Sequence, residues 1–305
     1  ANYAYHSVNR ALDTIADPEV VEFNVAAMPG ITNETLTGKL VDMCEDRGDA
    51  LAIIDLKGDY TARTENASAE TSRKGTVKDV VDNLQQRRIN SSYGCAYYPW
   101  VTVRDTINGA LVNVPPSVVA LGVFGTTEAV DDLWFAPAGF TRGGLSLGAA
   151  GIPVVATKDK LTSKDRDKLY EANINPIASF PAEGIVVFGQ KTLQVQSSAL
   201  DRINVRRLLI FVKKEISRIA NTILFEQNVQ ATWDKFVSSV NPVLQDIQSR
   251  FGLTSFKVVL DESTTTNDLI DRNILYAKIY LQPARSIEFI AVDFIINNTG
   301  AGFAD

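Results

Sequence analysis

The amino-acid sequence predicts an α/β protein: a doubly wound sheet domain over residues 1–150, followed by a smaller α+β domain over residues 151–305. Three observations lead there. Apolar, β-branched runs alternate with helical patterns through the first third of the chain, the order that lays parallel strands under crossover helices. Residues 50–56 (Ala-Leu-Ala-Ile-Ile-Asp-Leu) form a continuous apolar run of the kind buried on both faces of a parallel sheet. In the second half the pattern changes to two long apolar helical stripes and then a series of strands.

Residues 3–15 read as a helix. Residues 20–27 are apolar and stop at Pro29-Gly30, which predicts the first strand. Asn33 or Thr35 can cap the next helix, whose apolar face carries Leu36, Leu40 and Met43 and whose stop is Gly48. After the strand at 50–56 comes a polar stretch, residues 57–75. It is long for a plain connection and is expected to be mobile or a contact surface. Val77, Val80, Val81 and Leu84 mark another helix, and residues 93–98 a third strand. Asn108-Gly109 between apolar runs predicts a tight hairpin over 101–114, and Pro115-Pro116-Ser117 opens a helix that reaches Glu128. Residues 134–139 (Trp-Phe-Ala-Pro-Ala-Gly) make a compact turn that pins an aromatic. The glycines of 139–151 fit neither a dinucleotide nor a phosphate-loop spacing, so a flexible surface loop is expected there.

In the second domain, residues 184–189 read as a short buried strand. Val205, Leu208, Leu209, Val212, Ile216, Ile219, Ala220 and Ile223 hold an apolar helical stripe. Phe236, Val237, Val240, Val243, Leu244 and Ile247 build a second helix that Pro242 should bend or divide. Three strands are expected to follow, at 255–260, 274–281 and 287–296.

Composition narrows the function. Hydrophobic residues are 45% and charged residues 22% of 305, the balance of a folded chain. Thirty basic against 36 acidic side chains give a net charge of -6, which offers no broad surface for nucleic acid or anionic lipid. No apolar run approaches the roughly 20 residues a membrane span needs. Cys44 and Cys95 lie in apolar patterns and read as buried free thiols. The single histidine, His6, rules out a histidine-rich metal site and must carry any Ser/His/Asp mechanism; it lies ahead of the first strand, where a solvated helix position is expected. The acidic pairs Asp131-Asp132, Glu45-Asp46 and Asp261-Glu262 fall beside turns or on polar faces. Asp55 ends a buried strand, where α/β proteins place ligands, but Lys57, Gly58 and Asp59 complete no constellation around it. No catalytic residue, metal site or cofactor is predicted.

Two features ask for explanation. The striped helix carries Arg206, Arg207, Lys213, Lys214 and Arg218 against one acid, Glu215. In an acidic chain this is either a solvated helix surface or an electrostatic contact with an acidic protein partner. The last strand is apolar on both faces, with Ile290, Val292, Phe294 and Ile296 on one side. A terminal strand of that kind needs pairing on both edges, either within its own sheet or in a neighbouring subunit's.

Several pieces, in this order, carry a family likeness: Tyr97-Tyr98-Pro99-Trp100, Pro115-Pro116-Ser117, Trp134 with Ala136-Pro137-Ala138-Gly139, and Asn173-Ile174-Asn175-Pro176-Ile177. Gly184-Ile185-Val186-Val187-Phe188-Gly189, Asp201-Arg202-Ile203-Asn204-Val205-Arg206-Arg207-Leu208 and Gln282-Pro283-Ala284-Arg285-Ser286-Ile287 continue the series. Together they resemble the contractile tail sheath proteins of bacteriophages, most closely those of T-even-type phages.

The resemblance implies a structural subunit rather than an enzyme. Copies of the chain would form hexameric rings in a helical sheath around a tail tube protein, with baseplate and tail-terminator proteins at the ends. The sheath would contract to drive the tube through the host envelope, with no nucleic-acid partner and no direct membrane insertion. The expected location is the virion tail, assembled in the host cytoplasm. Residues 1–150 would be the family's subtilisin-like domain, alike in fold only, and residues 151–305 the domain facing the tube, ending in a candidate donated strand. The chain opens at Ala1 directly into a helix, so a fragment without the family's N-terminal arm and outer domains is expected. Tailocin and type VI secretion sheaths share this architecture, and an α/β hydrolase is the competing class.

Overall fold

The computed structural model describes residues 2–288. Helix α1 (Tyr3–Thr14) begins where the Asn2 side chain accepts from the Ala4 N–H at 3.3 Å. Strand β1 (Val25–Ala27) is shorter than the expected 20–27. Val20 is exposed, and the Val21 carbonyl accepts from the Arg47 guanidinium at 2.9 Å, so a side chain holds this approach instead of a strand ladder. Helix α2 (Glu34–Arg47) is specified at both ends by its own sequence. Asn33, and not Thr35, caps it by accepting from Leu36 N–H at 3.1 Å, and Gly48 closes it at φ 67°, donating to the Cys44 carbonyl. Strand β2 (Leu51–Ile54) is wholly buried.

The stretch at 57–75, expected to be mobile or a contact surface, is tied down at its two ends and exposed over residues 63–72. Arg73 is buried and donates to the Tyr60 hydroxyl at 2.5 Å and to the Ser68 and Thr61 carbonyls at 3.0 and 3.1 Å. Tyr60 in turn packs on Trp100, ring centroids 5.6 Å apart. Helix α3 (Val77–Arg87) and strand β3 (Gly94–Tyr98) follow as expected. Strands β4 (Val101–Arg104) and β5 (Leu111–Val114) pair as a hairpin, Val101 opposite Val114 and Arg104 opposite Leu111. Its connection is the longer loop 105–110, because the Asp105 carboxylate accepts from Ile107 N–H at 2.9 Å and from Asn108 at 2.8 Å and stabilises a wider turn.

Helix α4 (Pro116–Val130) starts with proline at its first position, where the missing N–H costs nothing. The glycine-rich segment carries the short helix α5 (Gly139–Arg142) and buries Leu145 completely, while the Gly143 carbonyl accepts from Val187 N–H at 2.9 Å. It is an anchored connection, not a free loop. Strand β6 (Val154–Thr157), unforeseen in the sequence, pairs with β4 to complete a sheet in the order β5-β4-β6. Helix α6 (Ser163–Glu171) opens with a reciprocal capping box between Thr162 and Asp165. Strands β7 (Asn175–Phe180) and β8 (Gly184–Val187) then return to the main sheet.

That sheet runs β1-β2-β3-β7-β8, parallel as far as β7 and antiparallel at β8. Strands β7 and β8 lie beyond residue 150 yet extend the sheet started by β1, so the sheet crosses the expected domain boundary. Side-chain alternation sorts its two faces. Leu51, Ile53, Cys95 and Tyr97 join α4 on one face; Ala52, Ile54, Ala96 and Tyr98 join α1, α2, α3 and α6 on the other. The protein is thus a mixed α/β fold with helices on both sides of its main sheet. Both crossover helices of the β1-β2-β3 run, α2 and α3, share one face.

The remaining elements are α7 (Ile203–Asn221), α8 (Gln230–Ser249), β9 (Leu253–Val259), α9 (Asn267–Asp271) and β10 (Lys278–Pro283). Pro242 sits inside α8 without dividing it. Strands β9 and β10 pair antiparallel, Ile279 opposite Val258, and their inner face packs on α7 and α8 through Trp233, Phe236, Val240, Leu244 and Ile247. Leu275, Ala277, Ile279 and Leu281 face this core, and Tyr276 and Tyr280 face outward, as the alternation predicts. The strand expected at 287–296 lies almost entirely outside the described residues; Ile287 and Glu288, its first two, are not in a strand.

Candidate assembly interface

Helix α7 joins the two halves of the molecule. Ile203 and Ile210 reach the main-sheet core, while Leu208 and Val212 reach the core under β9 and β10. A helix buried from two sides has no polar face along that length, which corrects the reading of five cations as one surface. Arg206 and Arg207 are buried. Arg206 hydrogen-bonds Ser92 and lies 4.0 Å from the Tyr93 ring centroid. Arg207 donates to Glu128 at 2.8 Å and lies 4.9 Å from the Phe124 centroid. Burial pushes both guanidinium pKa values below their usual range. These two arginines hold α7 against the residues leading into β3 and against α4, and are not available to a partner.

The solvent-accessible remainder of the basic group is Lys213, Lys214 and Arg218. Lys214 pairs with Glu22 at 2.6 Å, and Arg218 with Glu215 at 2.8 Å. The Lys214 hydrogen bond and charge hold the Glu22 carboxyl below its usual range. Lys213 makes no ion pair among the described residues. These are surface pairs of small energetic weight, screened by solvent, and so are easily exchanged for others.

Beside them lies the β9–β10 pair. A two-stranded sheet is marginal by itself, and here it is stabilised by the helices under it. Among the described residues neither β9 nor β10 has a second strand neighbour, so both outer edges present unpaired backbone groups. The sequence-expected candidates Ile290, Val292, Phe294 and Ile296 lie outside the described residues.

One site went unread in the sequence. After β10 the chain crosses back to the first half of the molecule, and Glu288 is gripped there. Arg202 donates to its two carboxylate oxygens at 2.6 and 3.0 Å, Tyr170 Oη at 2.9 Å and Gln190 Nε2 at 3.2 Å. Burial and the neighbouring Glu288 charge push the Tyr170 phenol up. An acid inside an otherwise apolar run was the available signal, since such a group needs a buried partner. Its partners, 86 to 118 residues away, follow no local spacing.

The carboxylates considered as catalytic candidates have structural duties. Asp55 accepts from Gly30 N–H at 2.8 Å and from the Ser117 hydroxyl and N–H at 2.7 and 3.2 Å, tying the turn after β1 to the start of α4. Burial raises its pKa, and those hydrogen bonds oppose the rise. Asp131 and Asp132 pair with Arg142 and Arg250. Asp59 is buried, accepting at one oxygen from Tyr60 N–H at 2.6 Å, with its other oxygen unpartnered among the described residues. Burial pushes it up to about 8. Cys44 and Cys95 are buried free thiols, as expected. His6 is exposed on α1, edge-on to Tyr5. Among the described residues no group of three or more His, Cys, Asp or Glu side chains could hold a metal, and no helix is long and apolar enough to cross a membrane.

Comparison with known families gives this arrangement its context. Residues 5–193 match the phage tail sheath protein central domain, and residues 195–297 the phage tail sheath C-terminal domain. The chain belongs to the phage tail sheath family. It is 38% identical over 226 residues to the tail sheath protein of Vibrio phage KVP40, covering 74% of this chain and 32% of that one. It is 35% identical over 190 residues to the tail sheath protein of Enterobacteria phage T4, covering 62% and 28%. The chain therefore spans about a third of the length of these sheath relatives. Its fold is similar to the sheath of an extracellular contractile injection system, PVC, in the contracted state, with a TM-score of 0.73 at 22% identity over 93% of this chain and 74% of that one. The junction between the two sheath family matches, at 193–195, falls in the connection between β8 and α7.

Proposed function

We propose that this chain is the central and C-terminal part of a contractile tail sheath subunit, which polymerises around a tail tube and shortens to drive that tube through a host envelope. The observation that carries the reading is the two consecutive sheath-domain matches on a chain whose last described unit is a helix-backed pair of strands with no further strand neighbour among the described residues. Such edges suit subunits linked by strand addition, with residues 287–296 as the strand lent to a neighbour. Contraction requires two packings of the same subunits with their links kept, and solvent-accessible, weakly paired charges such as Lys213, Lys214 and Arg218 suit contacts that are exchanged between packings. The partners are further copies in hexameric rings, the tube protein, and baseplate and terminator proteins; the location is the virion tail after assembly in the host cytoplasm. The role is structural and not enzymatic.

Two finer points belong to this proposal. Helix cover on both faces of the main sheet supports the doubly wound description of the first domain in part, since α2 and α3 share one face, and its subtilisin-like character rests on the family resemblance. The sheet's extension to Val187 and the family junction support a domain boundary near residue 194, later than the 150/151 of the sequence reading.

The test is charge reversal, Lys213→Glu with Lys214→Glu, in a sheath-forming version of the protein. The proposal expects folding to persist while assembly or contraction fails. Sheaths that assemble and contract unchanged refute the role given to these cations.

A further inference from the structure

The described chain ends at a cavity. Glu288, clasped by Arg202, Tyr170 and Gln190, forms part of the wall of a cavity of about 350 Å³ that is also lined by Ala136, Gly139, Pro176 and Phe188. Phe188 is one of three rings in mutual contact. Phe140 and Phe180 are 5.2 Å apart by centroid, Phe140 and Phe188 5.6 Å, and Phe180 and Phe188 5.1 Å. The Arg166 guanidinium sits 5.0 Å from the Phe180 centroid. Phe140 is 46% exposed and Phe188 40%. Aromatic rings left half in water beside a lined cavity, with an arginine stacked on them, have the composition of a surface that binds an apolar segment.

The sequence supplies one at that spot. The residues following Glu288 are Phe289, Ile290, Ala291, Val292, Asp293, Phe294, Ile295 and Ile296. We propose that residues 289–296 dock on the Phe140–Phe180–Phe188 surface of their own molecule before it assembles. Eight residues tethered at Glu288 reach up to about 26 Å, and the tether holds them at an effective concentration near the millimolar range. Left in water, a segment this apolar invites aggregation, so a cover in the free subunit has a physical purpose. The docking concerns the free molecule and stands apart from the sheath reading; only the later transfer of the segment to a neighbour rests on that reading.

The experiment compares the 305-residue chain with a version ending at Glu288, both dilute and monomeric, by hydrogen exchange at residues 139–142 and 186–190 and by binding of the dye ANS. Truncation is expected to raise both signals, and a synthetic peptide of residues 289–305 to reverse them saturably. Phe140→Ala and Phe188→Ala remove half-exposed rings and leave the core intact; each should weaken peptide binding about fivefold to tenfold. Unchanged exchange and dye binding on truncation overturn the proposal, as does peptide binding that ignores both substitutions. Protection that appears only as concentration rises assigns the surface to a second copy and also overturns it. Neither readout requires sheath assembly, so this proposal and the sheath reading can fail separately.

Discussion

Replacing Asp59 with asparagine should change how stability depends on pH, and the structure fixes the sign. Asp59 is buried under Tyr60 and Trp100, with one carboxylate oxygen unpartnered among the described residues, and its pKa is pushed from 3.8 up to about 8, chiefly by burial. The folded state therefore holds a proton that the unfolded state releases. Its contribution to stability is complete below about pH 4, is lost progressively as the pH rises, and levels off above about pH 8. At about 1.36 kcal/mol for each tenfold change in proton affinity, the rise from 3.8 to about 8 corresponds to a loss of about 4–6 kcal/mol across that window.

The asparagine of Asp59→Asn would keep a carbonyl oxygen for the Tyr60 and Trp100 N–H groups, now 2.6 and 3.4 Å away, and could not ionise. Its amide N–H pair would sit where an oxygen now has no partner, costing about 1–3 kcal/mol. Asp59→Asn is thus expected to be less stable than the parent near pH 4 and more stable, by about 1–5 kcal/mol, above about pH 8. Urea denaturation followed by tryptophan fluorescence across that range measures it. Asp55, also raised by burial, is present in both proteins and drops out of the difference. Parallel stability curves with no crossing would refute the burial argument.

Other expectations follow from particular contacts. Gly122 and Gly125 both lie in α4, and helix propensity alone favours alanine at each by about 1 kcal/mol. A Cβ at Gly125 meets open space, whereas one at Gly122 would collide with the Ala150 carbonyl. Thermal melts should show Gly125→Ala stabilising by up to about 1 kcal/mol and Gly122→Ala destabilising by about 2–4 kcal/mol. Cys44 and Cys95 are fully buried, and burial pushes the Cys44 thiol up to about 12 and the Cys95 thiol higher still. Both should resist a thiol reagent in the native protein at neutral pH and react on unfolding; rapid native labelling of either contradicts their burial.

What the sequence disclosed was what is encoded locally. Asn33 and Gly48 bracket α2 by their own cap chemistry, residues 50–56 can only be interior, and the alternation at 275–281 sorts inward from outward side chains, although the strand itself begins only at Lys278 and not at the expected 274. What it concealed depends on distant contacts. Strand β7 went unread: Pro176 brings no N–H to a ladder, yet it pairs with Tyr98 of β3. Arg206 and Arg207 read as surface because a helical wheel assumes one buried side, while α7 has cores on two. Asp59 sits in Lys57-Gly58-Asp59-Tyr60, a polar tetrapeptide by composition, and its burial comes from Arg73 strapping the loop onto Tyr60. The Glu288 clasp draws on α6, the segment after β8 and the residue before α7, which only the tertiary fold brings together.

The most direct measurement is electron microscopy of the purified protein, as this chain and extended N-terminally to the length of its sheath relatives, with and without tail-tube protein. The proposal expects the extended protein to form helically ordered tubes wide enough to enclose the tail tube. Discrete particles in every one of these conditions would contradict it.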